Sequence, residues 1–268
     1  MISNRLLTFI FCLLCTTLVQ SQSSEIGLQI GSSFYFGEIN PNISFDEPSY
    51  SSSIFYRRNF DKRTSVRGQF SYARLVGDDA NSKSSFQQAR NLSFRTDIIE
   101  LSAVYEFNFF NYTAGDRDEW FTPFLFVGAG AMYFNPQAEL DGDWHSLRPL
   151  TTEGQEEEYE AISPLGIYGI GMKYNINSNW SINGEFGNRF LFHDYLDDIS
   201  TTYTNRETLR ENRGDIAATL SDRSTEVNPD GLSREGFQRG NSEIADNYLF
   251  IQVGISYTFN PIKCPVLH

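Results

Sequence analysis

Three histidines and several runs of carboxylates are the residues here with the means to do chemistry. His145 sits in DGDWHSLRP, His193 opens HDYLDDIS, and His268 is the last residue. Nucleophilic catalysis needs a hydroxyl or thiol, a base, and a group that orients the base. His193, Asp194 and Ser200 supply those types, but nearness in sequence is no guide to triad geometry. Acids gather at Asp78-Asp79, Asp141 and Asp143, Glu156 to Glu158, and Asp197-Asp198. Calcium takes several oxygen ligands, yet none of these strings has the spaced D-x-[DN]-x-[DN]-G order. They read as solvated, mutually repelling loop surface. The chain has no P-loop or HExxH, and its one CxxC, Cys12 to Cys15, falls inside the apolar N-terminal run. GAG and GIG lie inside strand-like runs, where glycine marks close packing or a bend. No catalytic, cofactor-binding or metal-binding residue is therefore expected, and no cofactor or small-molecule substrate.

The elements that would position these residues are strands. Residues 245–260, ADNYLFIQVGISYTFN, alternate from Leu249: Leu249, Ile251, Val253, Ile255, Tyr257 and Phe259 on one face, Phe250, Gln252, Gly254, Ser256 and Thr258 on the other. A period of two is a strand between two unlike environments. About 9–11 residues suffice for a tilted strand to cross a bilayer. Similar runs occur at 25–36, 50–60, 64–72, 98–110, 120–134, 165–176 and 180–192. Phe55 and Val104 break the alternation of their runs. The fifth run is apolar on both faces and leaves its register open. The connections alternate in length, with the first, third, fifth and seventh longer than the even ones. This predicts an all-β fold, an eight-stranded antiparallel up-and-down transmembrane β-barrel with long extracellular loops. Both termini would then be periplasmic, in the cell outer membrane. On that reading Leu249, Ile251, Val253 and Ile255 face lipid.

The faces opposite the apolar ones carry Ser, Asn, Gln and Gly with few Lys. Their charges are mixed: Arg57, Arg67 and Arg189 against Glu100, Glu106 and Glu185. A solvated outer face would show more Lys. These six read as a structural charge network in a narrow lumen, where charges must neutralise one another.

The ends differ from the body. Arg5 and the run Leu6–Val19, followed by SQSSE, have the form of a signal peptide, too short for a spanning helix. Cleavage near Ser21/Gln22 divides the chain into residues 1–21 (signal peptide), 22–260 (barrel) and 261–268 (short periplasmic tail). The formal net charge of −13 argues against nucleic acid, which attracts a basic patch. Once residues 1–21 leave, Cys264 is the only cysteine, so no internal disulfide can form. Cys264 is a candidate partner contact, with a free thiol of no role as the plainer reading.

Several loop strings add a family resemblance. YARLVGDDANS, RNLSFRTDIIELSAVYEFNFF, FNPQAELDGDWHSLRPLTTEGQ, DYLDDIS, SDRS and QRGNS, in this order, resemble the PorG family (DUF6089-like). These are outer-membrane barrels of the type IX secretion system of Bacteroidota. The resemblance spans about Glu25 to Pro265. It implies a non-enzymatic barrel seated in outer-membrane lipid, docking periplasmic ring proteins of the PorK/PorN kind, and it supplies no catalytic residues. A lipid-modifying barrel enzyme resting on His193, and a passive structural or adhesin barrel, stay open beside it.

Overall fold

The computed structural model describes residues 23–40, 45, 47–228, 235–242 and 245–259. Residues 1–21, expected to be a signal peptide, and Cys264 lie outside them. Eight long strands alternate through the chain: β1 (Ser24–Phe36), β2 (Ser49–Asn59), β3 (Thr64–Asp78), β4 (Ser93–Asn108), β5 (Phe121–Leu140), β7 (Ile162–Asn175), β8 (Trp180–Leu191) and β9 (Asn247–Phe259). A short β6 (Asp143–Ser146) folds back on the end of β5. Each long strand pairs antiparallel with its chain neighbour, and β5 pairs with β7. The β1–β9 pairing, with Ser24 opposite Phe259, closes the ring. The result is a closed eight-stranded antiparallel barrel with no free edge.

Alternation assigns the faces. Leu28, Ile54, Phe70 and Leu101 are register partners across four strands, and all are among the exposed large hydrophobics. Leu28 is 58% and Ile30 68% exposed. A belt of such residues runs round the outside, far beyond the scattered apolar contacts of a soluble surface. Aromatics gather at the rim bearing the strand ends Ser24 and Phe259: Trp120 against Tyr174, Trp180 against Tyr257, Tyr257 against Phe259. Among the described residues no helix is long and apolar enough to cross a membrane; the strands form the apolar belt.

One feature separates this barrel sharply from a soluble one. Along β3 the inner face reads Ser65, Arg67, Gln69, Ser71, then Ala73 and Leu75. The outer face reads Val66, Phe70, Tyr72, then Arg74. On β4 the same level carries Phe94 and Ile98 inside, and Arg95 and Asp97 outside. Polarity inverts there. Arg74 pairs with Asp97 across the outer face at 2.7 Å. Below that level the outside is apolar and the inside polar, as lipid demands; above it the order is that of a protein in water. The strands continue past the belt and carry a water-exposed collar.

The two irregular positions acquire reasons. Phe55 points into the lumen, with the guanidinium carbons of Arg57 and Arg67 at 4.8 and 5.4 Å from its ring centroid, a cation–π arrangement. Val104 also faces inward and is buried. The fifth strand settles with Phe124, Phe126, Met132 and Phe134 inside, and Leu125, Val127 and Tyr133 outside. Leu249 departs from expectation. It is only 3% exposed, clustered with Phe34 and Phe36, so the lipid-facing row of β9 starts at Ile251. The lengths of the connections also shift. Residues 37–48 and 109–120 are equal in extent, so the first connection is not longer than the fourth; β3, β4 and β5 run on into the collar and shorten the third and fifth connections to 79–92 and 141–161.

Candidate functional site

Two buried polar clusters are stacked along the barrel axis, one in the lumen and one beneath the loops. Strand register builds the first. Arg57 of β2 is the direct cross-strand partner of Arg67 of β3, a like-charge contact that repels unless an anion intervenes. Glu106 of β4 supplies it. Its Oε2 lies 2.8 Å from Arg57 Nε and 2.7 Å from Lys173 Nζ, and its Oε1 lies 3.0 Å from Arg67 Nε. Ser65 also donates to Glu106 Oε2, at 3.0 Å. Arg57 donates to Glu25 at 3.1 Å, and Arg67 to Glu185 at 2.7 Å. Asn59 and Ser256 donate to Glu25, each at 2.8 Å. Farther up, Arg189 and the Tyr248 hydroxyl both donate to Glu100 Oε2, at 3.3 and 2.8 Å. Between the two groups lies a layer of amides and hydroxyls formed by Ser51, Ser53, Gln69, Ser71 and Gln252.

Arg57, Arg67, Glu100, Glu106, Glu185 and Arg189, the six residues expected in the lumen, all face it and all have ion-pair partners there. Arg57, Arg67, Glu106 and Glu185 share one cluster; Glu100 and Arg189 form the upper one. Glu25 and Lys173 complete the set. Their inward parity was readable in the sequence: Glu25 precedes Gly27 and Gln29 on one face, and Lys173 falls between the outward Met172 and Tyr174. The described barrel thus holds Arg57, Arg67, Lys173 and Arg189 against Glu25, Glu100, Glu106 and Glu185, all buried. Charge inside is balanced, as low-dielectric burial requires. At the chain-end rim, Tyr112 from the 109–120 connection is buried under its hydrogen bonds to Asn175 and Ser181. The lumen at these levels is packed with side chains and functions as a polar core.

The second cluster sits at the opposite rim, under the connections 37–48, 79–92, 141–161 and 192–246. These carry helix α1 (Ser85–Arg90) and, in the longest, α2 (Arg206–Arg213) and α3 (Asp215–Ser221). Leu147, Leu196, Ile199 and Leu220 insert into the apolar upper interior beside Phe94, Phe134 and Phe250. Two buried arginines hold the connections together. Arg90 forks onto Asp79 at 2.7 and 2.8 Å and donates to the carbonyls of Glu38 and Arg239. Arg239 donates to Glu153 at 3.0 Å and to the carbonyls of Asp198 and Ser221. Glu153 in turn accepts from the amides of Ser200 and Thr201. Every long connection contributes, so the cap is one cross-braced layer.

Acids dominate this layer. Asp79, Asp194, Asp197 and Asp198 are all buried. For Asp79, Asp197 and Asp198 the expectation of solvated loop surface is corrected; it holds for Asp141, Asp143 and Glu156 to Glu158, which are exposed. Burial pushes Asp197 up to about 7 and Asp194 to about 6, and pushes Glu38, with the nearby charge of Asp197, to about 9. Tyr35 presents one hydroxyl to two carboxylates, 2.5 Å from Asp197 Oδ2 and 2.8 Å from Asp246 Oδ1. Gly37 leaves room for this arrangement: a Cβ there would stand 2.0 Å from the Tyr35 oxygen and 2.1 Å from Asp246 Oδ1, and would push both side chains aside.

His193, Asp194 and Ser200 do not assemble into a triad. His193 Nδ1 accepts from the Tyr195 amide at 3.2 Å, and its buried Nε2 has no partner. The imidazole stacks on Phe134 with centroids 4.9 Å apart, and burial lowers its pKa. It is an aromatic filler of the cap. His145 lies in the β6 hairpin, opposite Ala138.

The cap carries a pH dependence of known sign. Burial raises Asp198 to about 6 from 3.8, even with Arg239 alongside. The folded cap therefore holds this proton more tightly than the open chain does. Its contribution to stability is complete below about pH 4 and is lost as pH rises through about 6, at no more than ~1.4 kcal/mol per pH unit. Thermolysin cleavage within 192–228, normalised to an unfolded substrate, should accelerate from pH 5 to pH 7. The Asp198→Asn variant should show a shallower slope. Asparagine tolerates the left-handed backbone at this position, φ 67°. An unchanged slope would contradict the assignment.

A family model described as "Domain of unknown function (DUF6089)" matches residues 4–216. No curated protein matches the chain. Among solved structures, the chain is similar to Ail, the attachment invasion locus protein of Yersinia pestis, at 13% identity and a TM-score of 0.44, covering 90% of this chain and 100% of that one. It is similar to Neisserial surface protein A at 9% identity and a TM-score of 0.44, with the same coverage. It is also similar to the outer membrane protein OprG of Pseudomonas aeruginosa at 10% identity and a TM-score of 0.39, covering 89% of this chain and 95% of that one.

Proposed function

The chain belongs to the DUF6089 family, and from that premise we propose that it is a non-enzymatic outer-membrane barrel of the type IX secretion apparatus, docking periplasmic ring proteins of the PorK/PorN kind. The observation that carries the reading is the packed, charge-balanced lumen. A barrel whose interior is filled by Arg57, Arg67, Lys173 and their carboxylates is suited to be an anchor. The loop strings between residues 72 and 242 that resemble the PorG family support the specific apparatus. His193, stacked on Phe134 with its Nε2 unpartnered, lends the lipid-modifying alternative no support.

In this proposal the rim bearing Ser24 and Phe259 faces the periplasm, and the braced cap faces outward. Short connections on the former rim, 60–63 and 176–179, fit the pattern of periplasmic turns. Residues 261–268, with Cys264, would then reach toward the ring proteins. Two measurements test the proposal. In intact cells a membrane-impermeant maleimide should label Glu156→Cys in the cap and miss Asp61→Cys until the envelope is opened. Deleting the gene should abolish secretion of type IX cargo, and a crosslinker on Cys264 should capture a ring protein. Normal cargo secretion in the deletion strain would sink the proposal, whatever the labelling shows.

A further inference from the structure

The cap holds a group of carboxylates that its own cations do not serve. β8, β9 and β1 are adjacent strands, and their upper ends meet: Phe190 pairs with Asn247, and Asn247 with Phe36. Just beyond those pairs stand Asp194, Asp246 and Glu38, one above each strand. One carboxylate oxygen from each lies within 4.8 Å of the others. Ligands at ~2.4 Å from one cation can be no farther apart than about twice that distance. Asp246 is fully buried, and Asp194 and Glu38 are each 8% exposed. Both Asp194 oxygens and Glu38 Oε2 are buried without a hydrogen-bond partner. Buried carboxyl oxygens left without a donor are costly. The two buried guanidiniums are committed elsewhere, Arg90 to Asp79 and Arg239 to Glu153 and Asp198. Asp197 adds a fourth acid through the shared Tyr35 hydroxyl.

We infer that Glu38, Asp194 and Asp246 form a site for a hard divalent cation of the calcium class. The donors are all oxygen, which excludes the soft-ligand metals. The nearest imidazole, His193, is stacked against Phe134 and contributes nothing to the set. Loop-borne carboxylates from three segments suit the adaptable shell of calcium better than the strict octahedron of magnesium. Such an ion would tie both ends of the 192–246 connection to the start of 37–48. It would thereby close the longest loop at its base.

The test uses the full-length protein purified from outer membranes in detergent. Terbium(III), a calcium surrogate excited through the adjacent Tyr35, should luminesce at one site per chain and be displaced by calcium chloride. Added calcium should slow tryptic cleavage at Arg206, Arg210 and Arg213 severalfold, and EGTA should reverse this. Asp194→Asn should weaken terbium binding at least tenfold and remove the calcium effect on cleavage, while the exposed-acid control Asp141→Asn should behave as wild type. Heat-modifiable gel migration reports whether each variant is folded, and Glu38→Gln replaces Asp194→Asn should the latter not fold. Should neither fold, the wild-type titration and protection decide alone. No calcium-displaceable terbium signal in the wild type, or unaltered binding in a folded Asp194 or Glu38 variant, would overturn the inference. Secretion and topology are not involved in these readouts, so this result is independent of the apparatus proposed above.

Discussion

Replacing Glu106 by alanine should destabilise the folded barrel by about 3–5 kcal/mol, the cost of stranding buried charge. Three cations converge on that one carboxylate, and two of them, Arg57 and Arg67, are cross-strand partners that repel once it is gone. No water-exposed route lets them relax, since Arg57 and Lys173 are fully buried. The urea midpoint of heat-modifiable gel migration, measured in lipid vesicles, reports the loss. Glu185→Ala should cost less, because Glu185 contacts only Arg67 among the ion pairs. Adding Lys173→Met to Glu106→Ala should restore part of the lost stability, because it removes one uncompensated charge. A Glu106→Ala barrel as stable as wild type would mean that water fills the lumen and screens the cluster, contrary to a packed interior.

The second large effect concerns the outer face. Leu28→Arg should cost about 2–4 kcal/mol in a bilayer, the range for an arginine at the midplane of a membrane barrel. Leu28 sits between Ile54 and Ile255 in register, away from both aromatic rims. Phe259→Arg, at the chain-end rim beside Ser24, should cost no more than about 1 kcal/mol, as expected near the interface. The same vesicle assay measures both. In a soluble barrel Leu28, at 58% exposure, would accept arginine without penalty. A neutral Leu28→Arg would therefore remove the membrane assignment of the belt.

These two experiments divide along a line that runs through the whole molecule. Period-two alternation determines that there are strands, how many are long, and which side chains share a face. It even identifies the lumenal charges, because Arg57, Arg67, Glu100, Glu106, Glu185 and Arg189 stand opposite apolar neighbours in their own runs. Alternation is local physics, and a strand cannot hide it. Pairing is another matter. That Arg57 meets Arg67, and that Glu106 must hold them and Lys173 together, follows from register between strands, which no single run contains.

The cap was least legible. Acidic, polar, glycine-bearing chain reads as solvated loop because burial there has no period. Asp197-Asp198 reads as surface from sequence, yet Arg239, distant in sequence, covers Asp198, and Tyr35 from β1 reaches Asp197. Phe94, Leu75 and Phe134 made β3 to β5 continue past the membrane level by packing against the inserted leucines of the connections. The buried carboxylates of the cap sit where they do for that reason. Their types were plain in the sequence; the convergence of Glu38, Asp194 and Asp246 arises only because closing the ring sets the ends of β8, β9 and β1 side by side.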